Sequence, residues 1–376
     1  AEEYNTPRAY YPFKNFKNPY KKFYTDPLKY TGYGRNKPEP KQISSVKIGF
    51  LGPIKPTVSV ATGGSGYEIV LGKRMLRGAQ LAIETANQQG GYTKRQIPYE
   101  MIVKNDNGLW GASGNEIIDF AYKDKVWGIL GTIDGANSHI AIRVALKAEV
   151  VMVNSGDTDP TFSETGIPWA FRNIVSDRQM CYFLADYIFK KLKLKRIAAL
   201  RSNNRYGRIG IDEFRDAARR LGHPFVIELN YNNGDTDFRD KLSKIKALKP
   251  DAVITYGDLD ESAMILKQMR ELNMEQCFLG SDRMVSERFF KKAGNRIGKV
   301  IAGYPFHPGQ SGTAYTDFQK RYRDRFGEPA EAYAAHAYDA MMMLIEAIEK
   351  GGLNRYRIRD ALANMKTYRG VSGLKQ

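Results

Sequence analysis

The chain has 376 residues, 42% of them hydrophobic and 26% charged, with a formal net charge of +17. That length exceeds one ordinary core and points to two lobes or domains, and no apolar stretch approaches the roughly 20 residues that span a bilayer. The charge permits contact with anionic surfaces, yet no helix-turn-helix, zinc-finger or RNA-binding signature turns it into nucleic-acid recognition, so no nucleic-acid partner is expected.

In chain order, the first stretch stands apart. AEEYNTPRAYYPFKNFKNPYKKFYTDPLKYTGYGRNKPEPKQIS, residues 1–44, holds nine Lys/Arg against four Asp/Glu and is rich in Tyr, Phe and Pro. With almost no aliphatic residues it cannot build a core, and its prolines interrupt helix and strand patterns. Residues 1–45 therefore read as an aromatic, basic arm. It either packs its rings on its own domain or docks a partner, another protein or a second copy in a homo-oligomer. The start AEEY, without Met, is what a mature exported protein looks like after its signal peptide is removed behind a small residue, and an engineered start would look the same.

From Val46 a different rhythm begins. KIGFLGPI is a strand ending in Gly and Pro. GKRMLRGAQLAIETANQQGG is a helix, with Met75, Ala79, Ala82, Ile83 and Ala86 near helical spacing and Gly90–Gly91 closing it. The glycine-rich GGSGYEIVLG, residues 63–72, reads as a mobile loop. YEMIVKND, VWGILGT and EVVMVNS follow as strands, separated by the helices ASGNEIIDFAYKD and ANSHIAIRVALKA. The alternation continues with RIAALRSN, YGRIGIDEFRDAARRLG, FVIELNY, DFRDKLSKIKALK, DAVITYGD, ESAMILKQMRELN and QCFLGSD. Short apolar strands alternating with amphipathic helices predict parallel sheets covered on both faces, and the number of units predicts two such α/β lobes. Cys181 and Cys277 both lie in apolar surroundings and read as buried free thiols.

In such folds ligands bind beyond the carboxyl ends of the strands. Five polar loops lie there: GTIDGANS (131–138), VNSGDTDPTF (153–162), RSNNRYG (201–207), YGDLDES (256–262) and LGSDRM (279–284). The first leads into a helix whose N-terminal amides can hold an anion.

These segments carry a resemblance. From about Val46 onward the chain resembles the periplasmic binding proteins of ABC transporters for branched-chain amino acids, whose fold is of type I. KIGFLGPI is similar to the family's opening strand, and GKRMLRGAQLAIETANQQGG to its first helix, with Gly72, Gly78 and the closing NxxGG. VWGILGTIDGANS and VMVNSGDTDP are similar to its first two ligand loops. RSNNRYGRIG is similar to its second-lobe loop, and EAYAAHAYDAMMML to its late AYDA helix. The resemblance implies two Rossmann-like lobes with parallel sheets, joined by a three-segment hinge, with a small ligand between them. Carried over, the lobes are 46–172 with 304–367 and 173–303 with 368–376. The implied function is an extracytoplasmic, periplasmic solute-binding protein that delivers its ligand to an ABC permease, without catalysis or cofactor.

The resemblance also implies ligand contacts. Gly156, through its backbone, and Thr158 match positions holding an amino acid's α-carboxylate. Gly135 falls where the first loop has a hydroxyl, beside Asp134 and Ala136. Tyr206 matches a bordering aromatic and Asp282 the acid that receives the ammonium. Asp258 and Leu71 stand where aromatics are common, and Trp110 is a further wall. Asp134, Asp157, Asp258 and Asp282 all lie in these loops. An uncompensated buried carboxylate is costly, so a cationic group on the ligand is expected, in an amino acid or another small amine. The bland reading of each Asp is a helix cap or turn residue, and it is favoured for Asp157.

His139, His223, His307 and His336 are scattered without HExxH spacing, and there is no GxSxG elbow or GxxxxGK loop, so an enzyme is not expected. Two other roles fit the fold: a ligand-sensing receptor or regulatory subunit, and a scaffold whose arm grips a partner.

Overall fold

The computed structural model describes residues 30–56, 66–106 and 110–375. Contacts divide the chain into two units. The first comprises Glu68–Val175, the chain from Phe306 onward, and residues 30–56; the second comprises Ser176–Pro305.

The first unit is built on β1 (Val46–Gly52), β2 (Tyr99–Asn105), β3 (Gly128–Leu130), β4 (Val151–Asn154) and β5 (Ala170–Arg172). They form a parallel sheet in the order β2-β1-β3-β4-β5. β4 is buried at every residue, as expected where helices cover both faces. Helix α1 (Gly66–Gln88) begins six residues before Gly72, so the loop expected over 63–72 is helical from Gly66. The reason is a core stripe: Leu71, Met75, Ala79 and Ala82 recur about one turn apart and all are buried. α2 (Trp110–Ile118) runs into a π-turn, Asp119–Lys123, and α3 (Gly135–Ala148) follows β3. α4 (Thr161–Glu164) is a single turn between β4 and β5. Ile117, Phe120, Ile129, Ile142 and Met152 belong to the core beneath them.

The second unit has its own parallel sheet, β10-β9-β8-β6-β7, formed by β6 (Ile197–Ser202), β7 (Ile227–Tyr231), β8 (Ala252–Tyr256), β9 (Cys277–Gly280) and β10 (Val300–Ala302). α5 (Asp177–Asp186) opens it behind a capping box, in which the Ser176 side chain accepts from Gln179 N and the Gln179 side chain accepts from Ser176 N. A second π-turn, Tyr187–Lys191, continues α5. Next come α6 (Arg205–Arg220), α7 (Arg239–Ala247), α8 (Leu259–Glu271) and α9 (Glu287–Ala293). Cys181, Phe189, Ile197, Phe214, Ile254 and Leu279 belong to one core. Both cysteines are free and buried.

The chain then returns to the first unit as α10 (Thr313–Phe326), α11 (Ala332–Gly351) and α12 (Arg355–Ala363). Residues 368–375 do not join the second unit, as the carried-over boundaries had it. β11 (Tyr368–Gly370) and β12 (Gly373–Lys375) form an antiparallel hairpin grouped with the first. The buried Asp339 carboxylate of α11 decides this: its oxygens accept the backbone N–H of Val371 at 2.8 Å and of Ser372 at 2.9 Å.

Residues 1–29 of the arm lie outside the described residues. The described end packs on its own unit. Tyr30 meets Trp169 edge-on at 5.2 Å and stacks on Tyr356 at 5.8 Å, and its hydroxyl donates to Glu149 Oε1 at 2.5 Å. Arg35 pairs with Asp360, and Asn354 Nδ2 donates to the carbonyls of Gly34 and Lys37, each at 3.0 Å.

Candidate functional site

In the first unit, the loop after β4 is organised by its own short polar side chains. Asn154 Oδ1 accepts the backbone N–H of Gly156 at 2.9 Å and of Asp157 at 2.7 Å. Asp157 Oδ1 accepts Asp159 N at 2.9 Å. Asp159 Oδ1 accepts Thr161 N at 2.9 Å and Thr161 Oγ1 at 2.6 Å. This relay of Asx turns replaces the lost strand ladder and satisfies a buried backbone, which is why small oxygen-bearing residues follow a fully apolar strand. Asn154 Nδ2 ties the relay to Ser138 Oγ on α3 at 3.0 Å.

Gly156 and Thr158 are both buried in this loop. A Cβ on Gly156 would stand 2.6 Å from Met75 Sδ and 3.0 Å from Ile133, so glycine lets the loop backbone lie against α1. Thr158 takes no part in the relay, and the Ser155 hydroxyl is buried with no hydrogen-bond partner among the described residues. Burial, then the neighbouring Asp159 carboxylate, push the Asp157 carboxyl up to about 7.

The loop after β3 behaves differently. Asp134 caps α3, accepting Ala136 N at 2.9 Å and Asn137 N at 3.2 Å. Gly135 and Ala136 are the first two residues of that helix. Leu71 is a buried member of the α1 stripe. Trp110 is the first residue of α2, and its side chain lies outside what the structure describes.

In the second unit, three strand-end loops meet. Tyr206 follows β6, Asp258 follows β8 and Asp282 follows β9, and all three are buried. The Tyr206 hydroxyl donates to Asp282 Oδ1 at 2.5 Å. Arg283, passed over in the sequence, completes the cluster. Its Nη1 donates to Asp258 Oδ1 at 3.0 Å in an ion pair with side chains only 2% and 1% exposed. Its guanidinium also lies over the Tyr206 ring, 3.7 Å from the centroid. Asp258 is the N-cap residue of α8, but its side chain makes no cap hydrogen bond. Its Oδ2 is buried without a partner among the described residues. Tyr256 stands behind Tyr206 with ring centroids 5.0 Å apart and donates to Asp177 Oδ1 at 2.7 Å.

The structure thus brings Tyr206, Asp258 and Asp282 together in one unit, and Gly156 and Thr158 in the other. Asp134 is a helix cap and Asp157 a turn residue, while Asp258 has a guanidinium against it. Arg283 and the organising Asn154 were the residues to find. The only signal for Arg283 was a cation beside Asp282 in the strand-end loop GSDRM, and for Asn154 an Asx residue at a strand end.

Similarity to known proteins agrees with this architecture. A model of the periplasmic binding protein family matches residues 45–376. The chain is 26% identical over 290 residues to Leu/Ile/Val-binding protein homolog 1 of Brucella abortus, covering 77% of each chain. It is also 26% identical over 304 residues to an amino acid binding protein of Pseudomonas aeruginosa, covering 79% of each. Among solved structures, the branched-chain amino acid transporter substrate binding protein LivJ of Streptococcus pneumoniae, in complex with isoleucine, superposes with a TM-score of 0.78 at 23% identity, over 88% of this chain and 91% of that one. A solute binding protein of an ABC transporter from R. palustris, in complex with benzoate, gives a TM-score of 0.75 at 16% identity, over 88% of each chain. With two parallel α/β units, the strand-end loops in their expected order and a family model that spans nearly all of the chain beyond its arm, this protein belongs to the periplasmic binding protein family.

Proposed function

We propose that this chain is an extracytoplasmic, periplasmic solute-binding protein that captures a small amino acid or related amine and delivers it to an ABC permease. The observation that carries the ligand class is the pair of buried carboxylates in the second-unit cluster. Asp258 and Asp282 are both buried at strand ends of this unit, Asp258 against the Arg283 guanidinium and Asp282 against the Tyr206 hydroxyl. A cationic group on the ligand suits a strand-end cluster that holds two buried carboxylates. In this reading Asp282 receives the ammonium, and the Gly156 backbone with Thr158 takes the carboxylate through neutral donors. Tyr206 borders the ligand in this reading. The relatives' names, Leu/Ile/Val-binding and amino acid binding, support an amino acid.

The test is calorimetric titration of the amino acid identified by screening. Asp282→Asn lowers its affinity more than tenfold while the thermal midpoint of the free protein changes little. An unchanged affinity removes Asp282 from the site.

A further inference from the structure

We propose that the second unit carries a docking surface for an anionic phospholipid membrane, formed by the outer face of α5, the π-turn after it and the loop before β8. α5 exposes Phe183, which is 79% accessible, and one turn later Tyr187, which is 39% accessible. Two rings at this spacing on an outer helix face are a poor use of surface in water, and aromatic rings seat well at lipid headgroup level.

The chain then reads KKLKLKR over 190–196, five cations with no acid. Leu192 and Leu194 pack against the core, so Lys191, Lys193 and Lys195 alternate outward, and all three are exposed. Asp251 holds this segment in place through its backbone: its carboxylate accepts Lys195 N at 2.7 Å and Arg196 N at 2.9 Å. Arg196 Nη2 donates to the carbonyl of Leu248 at 2.7 Å, which brings the exposed Leu248 and Lys249 beside the lysine run. Aromatic and aliphatic side chains ringed by lysines fit a bilayer surface, where the rings enter the headgroup layer and long cationic stems reach phosphates. A membrane is also the anionic surface that an extracytoplasmic protein serving a permease meets.

The location is permissive. β6 and β8 begin at Ile197 and Ala252, so the patch lies at the amino edge of the second unit's sheet. Tyr206, Asp258 and Asp282 follow the carboxyl ends of β6, β8 and β9. Docking through the patch leaves these loops at the opposite edge.

The experiment is cosedimentation of the full chain with vesicles of mixed phosphatidylglycerol and phosphatidylcholine, and of phosphatidylcholine alone. Each cation near an anionic surface strengthens binding about fivefold. The triple variant Lys191→Glu, Lys193→Glu, Lys195→Glu removes three cations and adds three anions, and is therefore expected to lose at least about 100-fold in affinity for the mixed vesicles. Phe183→Ser with Tyr187→Ser is expected to lose several-fold on the same vesicles. A variant with the same charge change in the arm, Lys17→Glu, Lys21→Glu, Lys22→Glu, is the comparison, and it is expected to bind nearly as the parent does. Thermal midpoints, and the shift produced by the amino acid ligand, are measured alongside and stay as in the parent, which separates lost docking from lost folding or ligand binding. Equal binding to both vesicle types overturns the proposal. So does a loss confined to the arm variant, or undiminished vesicle binding by the triple variant.

Discussion

Arg283 ties two of its second-unit neighbours together, the Asp258 carboxylate and the Tyr206 ring. The guanidinium sits between a carboxylate and an aromatic face, with almost no water to share the charge. Removing one partner of a buried ion pair leaves the other uncompensated, at a cost of about 3–5 kcal/mol. Arg283→Met is therefore expected to destabilise the protein by about that amount, and Asp258→Asn in the same chain to recover part of it. Urea denaturation of the two single variants and the double variant measures the coupling. Asp157 makes the opposite kind of prediction. Its carboxyl titrates near 7 against an ordinary value of 3.8 because burial and Asp159 disfavour its charge. A raised native pKa means that the folded state holds the proton more tightly. The stabilisation is full below about pH 4 and is lost as pH rises toward 7, by up to about 4 kcal/mol. Asp157→Asn removes this contribution. Thermal midpoints at pH 4.5 and 7 should fall less between the two values in the variant than in the parent, and parallel profiles would reject the assignment.

Close approach of backbones governs how the elements of the first unit fit. α1 crosses α11 at Gly78, where a Cβ would run into the carbonyl of Ala334, and passes Pro53 at Gly72 in the same manner. Packing of this kind tolerates no added methyl group without a shift of backbone. Gly78→Ala is expected to cost about 1–3 kcal/mol, whereas Gly66→Ala, at the start of the same helix with nothing within 4 Å, is expected to be neutral or mildly stabilising. Differential scanning calorimetry of the two variants decides the point, and similar midpoints for both would refute the crossing argument. The same first unit shows how a local device can override a global expectation. Asp339 lies in the helix that carries the late AYDA pattern, and its carboxylate anchors the final hairpin by two backbone amides. The terminal strands stay with the unit that holds that carboxylate.

At the scale of the whole molecule, the proposed function requires that ligand binding be visible as stability. A ligand that binds only the native state adds about 2.7 kcal/mol at a hundred times its dissociation constant. A thermal-shift screen of ligand-free protein against amino acids, polyamines, amides, short carboxylates and aromatic acids should raise the midpoint with amino acids or monoamines. A response confined to aromatic acids or other anions would mean that Arg283, not Asp282, dominates the ligand's environment, and the amine reading would fail. The net charge of +17 belongs to this scale as well. It is spread along the chain, yet residues 190–196 carry five cations and no acid next to the exposed rings of Phe183 and Tyr187, so a uniform basic surface is too simple a description.

The sequence by itself determined the fold class, the order of the elements and the places where polar loops follow buried strands, because these depend on local periodicity and on which residues tolerate water. It also marked Tyr206, Asp258 and Asp282 as strand-end residues of one lobe. Only the tertiary structure decided what each polar group meets. Asp134 and Asp157 each turn one oxygen to nearby backbone amides, Asp258 pairs with an arginine 25 positions away, and Asp339 claims a hairpin more than 30 residues downstream. Spacing along a chain carries the period of a helix or strand, but not which of several carboxylates a given cation will meet. That is settled by the meeting of loops from different strands, where the cost of burying charge leaves room for few arrangements.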